Sequence, residues 1–535
     1  MTPYLSENPE LTRYIRVHTR KGKATSYYTL FLVLCLACVV FNLVAWQYYG
    51  AYRSLETCFR SVFFQIVGAN FVLLLVVGSH ACGESVAQER QSNTLEFQRI
   101  TGMSPYVLAL GKILGVPLVH YLLAVVGMPF TMLCVLSGGV SLSGFVAAYL
   151  VLAASGLFFS SLSTLMSSFR RETSSRGKTS PVVLVIMLLW MGPGFFMATI
   201  RGPWGSALLG RGANVLTCLL PFHSLYAVAQ GDVSQYRVAL FGFEFSGVLT
   251  TLVLNLLLFL FFWAGTARRI GSDSQPVWSK AQLLTASLVT FALMAGVLWD
   301  ALPAMRGPRL DYLTPLALCA LLAHAVMLLV ANVASPGLYP HRVALRRRGV
   351  GVSGAAAFLD ERTMALLLTL VLAGAFAAMA LAVTVSRSAA LPGLPGPATV
   401  ALFLLPFVLC AVIYTGLVQT LRFFAPENGA QLQAVILFVW TAIPLAGGTL
   451  LMGMEPQELW GFLGRIVLFL SPVGVCVHGI KEGVGATVGS AEFWLSVVAF
   501  AAAGGWLWSV LRRFHRKLAE EARGTAPVQA LLVAR

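Results

Sequence analysis

The chain has 535 residues, of which 58% are hydrophobic and 11% charged, with mean hydropathy +0.79 and a net charge of +16. Soluble proteins carry about a quarter charged residues, so this composition excludes a large soluble domain and requires lipid around most of the chain. The basic excess does not mark a nucleic-acid face, because the lysines and arginines stand at the ends of apolar runs, where they set orientation.

The apolar runs are continuous rather than alternating, which excludes a transmembrane β-barrel. In chain order, a polar, basic N-terminal stretch precedes a first run too long for a signal-peptide core, which is therefore expected to be retained. Spans are expected near 27–49, 58–80, 106–136, 143–168, 180–200 and 246–267. A second set is expected near 281–300, 312–333, 363–386, 398–421, 431–453 and 491–511. The run 463–479 is short and broken by Pro472 and Gly474, so it is read as a helix that dips into the outer face without crossing. Twelve spans put both termini on one side. Most of the 37 basic residues then fall on that side, which the positive-inside rule makes cytoplasmic.

The expected fold is thus all-α, a polytopic helical bundle of about twelve spans. Its two halves, 1–270 and 271–535, share an ordered series of landmarks. In the first half a span ends at Phe169 and the next closes on Gly192-Pro193-Gly194; Leu219-Leu220-Pro221-Phe222 and Glu244-Phe245 then open a last span ending in Arg268-Arg269. In the second half the series is Phe424, Pro444 with Gly447-Gly448, Leu470-Ser471-Pro472-Val473, Glu492-Phe493 and Arg512-Arg513. Each half has an even number of spans, so the copies are parallel, a repeat design known among transporters.

Groups that carry chemistry are not expected. Gly177-Lys178-Thr179 imitates the end of a phosphate-binding loop, but Glu172 stands where the pattern requires glycine and no strand precedes it. Catalytic and metal-ligating constellations are lacking, and no resident cofactor is expected. His120 and His324 stand singly in apolar surroundings and read as packed side chains. The nine cysteines, with Cys35 and Cys38 in the first span, read as small apolar residues rather than a redox pair. Glu244, Asp300 and Glu492 fall at span ends, so no acidic group is placed at mid-membrane to couple transport to an ion. Within the spans, Asn42, Gln65, Asn70, Asn255, Gln419 and the run Ser160 to Ser168 either line a pathway or bond helix to helix. An energy source is therefore expected from outside the chain.

Between the second and third spans lies the segment from Glu84 to Pro105. Here Glu84, Glu89 and Glu96 alternate with Arg90 and Arg99, and Thr94-Leu95-Glu96 precedes Gly102 and Pro105, with Gly111-Lys112 entering the next span. The pattern suits a short helix lying in water at the cytoplasmic face, with Glu89 and Glu96 both exposed.

These residues resemble the signature of type-2 ABC exporter permeases: an acidic–basic pair, a Thr-Leu-Glu triplet, a small-residue turn with proline, and a Gly-Lys pair. Asn93 stands where that family usually has glycine. The basic lead-in at 8–26 and the proline-containing segment before the sixth span strengthen the resemblance over the first half. In the second half, Leu338 to Arg362 lacks the triplet. The resemblance implies a membrane-spanning subunit, embedded in membrane lipid, that exports a substrate with ATP and magnesium held on a separate cytoplasmic ABC ATPase. Glu84, Glu89, Arg90, Thr94, Leu95, Glu96 and Arg99 would form the coupling helix. It also implies a bacterial inner-membrane location. The alternative is a channel-like or scaffold membrane protein without an ATPase.

Overall fold

The computed structural model describes residues 8–19, 23–100, 102–168, 213–214, 218, 221–229, 236–272, 277–304, 313–335, 366–388, 396–424, 444, 448, 451–452, 457–471, 474–475, 478 and 484–524. The chain divides into two compact units, Met1–Val277 and Trp278–Arg535. It is an all-α, multi-pass membrane bundle, with nine helices among the described residues long and apolar enough to cross a bilayer. The expected span 180–200, the first three residues of the expected span 363–386, most of 431–453, and the loop 338–362 lie outside the described residues.

In the first unit, α1 (Pro9–Thr19) and α2 (Lys23–Tyr49) are separate helices. A capping box between Ser54 and Thr57 then starts α3 (Leu55–Phe71), satisfying amides the first turn cannot pair internally. The chain continues without a break through a π-helical stretch, Val72–Gly78, into α4 (Ser79–Gln91). The result is one rod, Leu55–Gln91. The expected span 58–80 is therefore too short, and the first part of the charged segment is the end of this rod rather than a separate surface helix. A short helix, α5 (Thr94–Ile100), follows.

The run expected as one span at 106–136 is two helices, α6 (Pro105–Gly115) and α7 (Leu118–Leu136). Pro117 lies between them and has no amide hydrogen to continue the ladder. Next, α8 (Leu142–Ser167) starts at an N-cap in which Ser141 Oγ accepts from the Gly144 amide. The unit continues through β1 (Ala213–Asn214), α9 (Pro221–Ala229), β2 (Arg237–Leu240), β3 (Phe243–Ser246) and α10 (Gly247–Gly271).

Helix α8 packs against both α4 and α10, and its serine run lies inside, with Ser160, Ser161, Ser163 and Thr164 fully buried. Helix-to-helix bonding is what the structure shows for part of that run: Ser167 Oγ donates to Gly83 O and Thr266 Oγ1 to Ser161 O. The main apolar core joins Phe31, Val62, Phe63, Ile66, Leu74, Leu123, Val151 and Phe159.

The sheet was not expected. Its order is β1-β2-β3, with β1 parallel and β3 antiparallel to β2. Phe241 and Gly242, both at positive φ (55° and 82°), close the hairpin in the geometry that two-residue turns favour. The signal was present: Phe243-Glu244-Phe245-Ser246 alternates with period two. Glu244 is accordingly on a strand, not at a helix end.

The second unit contains α11 (Lys280–Ala304), α12 (Leu313–Ala334), α13 (Leu366–Ser388), α14 (Pro397–Phe424), α15 (Gln457–Phe469), α16 (Val484–Gly489) and α17 (Ala491–Gly524). Helix α14 packs against α12, α13 and α17. Phe291 of α11 meets Phe376 of α13, and His324 is buried against Phe407. His120, in the first unit, is half-buried beside Gly78. Glu492 opens α17 and accepts from Arg465 Nε of α15 at 2.7 Å.

Candidate functional site

The elbow between α4 and α5 is set by its sequence. Asn93 sits at φ 56°, a left-handed conformation that glycine adopts freely and asparagine tolerates best among the other residues. The asparagine therefore fits a site where the family signature has glycine. Thr94 Oγ1 turns back to donate to Glu89 O at 3.2 Å, and Ser92 Oγ donates at 2.9 Å to Gln88 O, which also accepts the Ser92 amide, so both hydroxyls reinforce the end of α4.

Helix α5 is held to its own unit by one face. Leu95 is buried with Leu108, Ala109, Ala267 and Ile270. Arg99 Nε donates to Ile270 O at 2.6 Å, and its Nη2 to Arg269 O at 3.3 Å. A cation on the last carbonyls of α10 is also favoured by the helix dipole. Arg90, at the end of α4, donates to Ser168 O at 2.6 Å, the C-cap of α8. Two arginines of the charged segment thus fasten the elbow to the ends of two long helices. The opposite face of α5 is open: Phe97 is 68% and Ile100 83% exposed, and the Glu96 side chain is 57% exposed while paired to Arg99.

Behind the elbow lies a buried ion cluster. Lys112 of α6, its side chain 1% exposed, reaches Glu10 Oε1 of α1 at 3.1 Å and also pairs with Glu89 of α4. Arg13 Nη2 meets Glu10 Oε1 at 2.9 Å and Glu89 Oε1 at 3.1 Å. Two carboxylates therefore face two cations, and the cluster is neutral. Tyr14 adds a hydroxyl contact with Ser85 Oγ at 2.8 Å, and burial pushes its phenol up to about 12.

Close backbone approach makes this possible. Asn8 Oδ1 accepts from the amides of Glu10 and Leu11, starting α1, while its Nδ2 donates to Val107 O at 2.8 Å. A Cβ at Gly111 would fall 2.7 Å from Asn8 Oδ1, and one at Gly115 would fall 2.7 Å from Tyr14. Only glycine lets α6 lie so close to α1.

The expectation that Glu89 and Glu96 both lie in water is therefore half wrong. Glu96 is exposed, but Glu89 is turned inward, its side chain 11% exposed, because Lys112 is buried and needs a counter-charge. Glu84 lies on the open side of α4, bonded by Gln88 and 3.8 Å from His80, apart from the cluster. Sequence reasoning missed Glu10, Arg13 and Tyr14. The available signal was Lys112, a lysine placed eight residues into an apolar run.

The polar residues expected to line a pathway or bond helix to helix have these places within their own units. Asn42 Nδ2 donates to Gln65 Oε1 at 2.9 Å and Tyr52 OH to Asn42 Oδ1 at 2.6 Å, which is bonding among α2, α3 and the turn that joins them. Asn70 is buried close to Gly127 of α7. Asn255 Nδ2 donates to Thr251 O within α10, and Gln419 is buried in the second unit. No group of three or more His, Cys, Asp or Glu side chains could hold a metal among the described residues.

The first unit is thus a bundle of membrane-spanning helices with a polar elbow fastened to the ends of two of them. Residues 52–268 match the family model described as ABC-2 family transporter protein. That region, from the start of α3 almost to the end of α10, is similar to the ABC-2 transporter family. The match contains the elbow, Glu89 and Lys112, but not α1 with Glu10 and Arg13. No curated protein and no solved structure matches the chain.

Proposed function

We propose that this chain is the membrane-spanning subunit of an exporter driven by a separate cytoplasmic ABC ATPase, which supplies the ATP and magnesium chemistry. The supporting observation is the two-faced α5: Leu95 and Arg99 fix it to the bundle, while Glu96, Phe97 and Ile100 remain outside. Exposed apolar residues beside an acidic one suit a groove on a soluble partner. Glu89 and Arg90 act from behind as positioning residues, and Thr94 sets the turn. Glu84 extends the acidic surface along α4.

ATPase closure would push α5. The ion cluster and the two arginine bonds would carry that displacement to α6, α8 and α10, which alternate the exposure of a pathway. On this reading the elbow and both termini are cytoplasmic, in a bacterial inner membrane, and 271–535 is a diverged second copy of 1–270. Export follows from the signature that the elbow residues resemble.

The deciding experiment is co-purification of the full chain, in mild detergent, with the ABC ATPase encoded beside it. Recovery of the ATPase with wild type and its loss with Phe97→Ala/Ile100→Ala, at unchanged expression, is the expected outcome. Failure to recover it with wild type favours the channel-like or scaffold reading.

A further inference from the structure

At the end of α8 and α10 remote from the elbow, the two helices border an apolar groove of about 550 Å³, within the range of ordinary ligand sites. Leu142, Val146 and Leu150 of α8 form one wall, and Leu249 and Leu252 of α10 the other. Val146, Leu150 and Leu249 are strongly exposed. This groove is thus a concave stretch of the lipid-facing surface of two spans.

Its upper edge is polar. Ser246, the last residue of β3, lines the groove and pairs in register with Arg237 of β2. Residues directly opposite in an antiparallel pair project from the same face. Arg237, Glu244 and Ser246 therefore share one face of the hairpin, and Arg237 Nη1 lies 3.6 Å from Glu244 Oε2. The other face carries Val238, Leu240, Phe243 and Phe245, with both phenylalanines exposed. The hairpin runs directly into the membrane-spanning α10, which begins at Gly247, so it lies at the level of the headgroups.

We propose that this groove holds one zwitterionic phospholipid of the phosphatidylethanolamine class. An acyl chain fills the groove between α8 and α10, Arg237 binds the phosphate, and Glu244 binds the ammonium. The charge arrangement selects this occupant. A cation and an anion stand side by side above an apolar trough, matching the adjacent phosphate and ammonium of such a headgroup. The Arg237–Glu244 pair is exposed and contributes little by itself, so it opens readily to exchange partners. A transmembrane helix from a second copy would fill the trough but make no use of the exposed Arg237–Glu244 pair above it. The concave wall also offers an acyl chain more contact than a convex helix face does.

The test uses the full chain in vesicles of phosphatidylethanolamine and phosphatidylglycerol, without any ATPase, so its result is separate from the fate of the α5 reading. A trace of either lipid carries a photoreactive group at its acyl terminus, and labelled peptides are located by mass spectrometry. The ethanolamine probe is expected to label 142–150 and 246–252 well above the exposed face of α2 at Leu30 and Leu34, and the glycerol probe much less. Leu249→Trp, which fills the trough, should remove the enrichment. Arg237→Gln, a surface change that leaves packing intact, should lower it by up to about fivefold, the most an exposed ion pair usually contributes. Labelling no greater than on α2, equal labelling by both lipids, or enrichment unaffected by Arg237→Gln would each overturn the proposal.

Discussion

The Glu89 carboxylate, near the elbow end of the rod that begins at Leu55, pairs with the ammonium of Lys112 in α6. One ion pair thereby links the helices on either side of α5, and Glu10 and Arg13 bind α1 to the same point. The elbow thus has a charged backstop as well as the apolar seat of Leu95.

Reversing the two glutamates of the segment should have opposite consequences. Glu89→Lys places a second cation against a fully buried lysine, and breaking a buried pair typically costs about 3–5 kcal/mol. Poor insertion or a lowered melting temperature in detergent is expected. Glu96→Lys changes an exposed site and should cost within about 0.5 kcal/mol, while weakening ATPase association by repulsion at the interface. Melting curves and co-purification, measured on both variants, separate stability from coupling. Equal stability of the two would show that Glu89 is not buried.

Lys112→Met should destabilise the first unit strongly, because Glu10 and Glu89 would face each other with only Arg13 between them. Adding Glu10→Gln and Glu89→Gln should restore much of the loss, since the buried charges are then gone together, Arg13 is half-exposed and stays hydrated, and replacing buried ions by neutral groups is often close to neutral. A thermal-shift series over the single, double and triple variants checks this. Additive loss would contradict the cluster.

Asn93→Gly should be tolerated, because φ 56° imposes no strain on glycine. Asn93→Val should cost about 1–2 kcal/mol, the ordinary penalty for an L residue held left-handed. Limited proteolysis at the elbow, compared with wild type, reads the result. Equal protection of both variants would argue against the left-handed turn.

Orientation is testable on two exposed positions, in a background freed of native cysteines. Tyr49→Cys, at the end of α2, should react with an impermeant maleimide added outside intact cells. Gln91→Cys, at the elbow, should react only after permeabilisation. The reverse pattern would invert the proposed topology. The same labelling should reach positions near 305 and 390 from outside and spare those near 175 and 520; of these, only 520 falls among the described residues.

What the sequence determined by itself is the membrane class, most of the helix positions and the place of the elbow. Long apolar runs have no stable alternative in water, and caps, prolines and charges mark where they stop. The left-handed elbow was marked by an asparagine in a glycine's place. Only the tertiary structure decided which charges are inside. Glu89 and Glu96 read alike along the chain, seven residues apart, yet one is buried against Lys112 and the other faces solvent. That difference depends on α1, nearly eighty residues earlier, lying against the glycines of α6, and a pairing over such a distance leaves no local periodicity to read. The break at Pro117 and the small sheet were visible locally as a proline and a period of two. Yet the choice between one long span and two helices, or between a helix and a hairpin, rested on what packed around them.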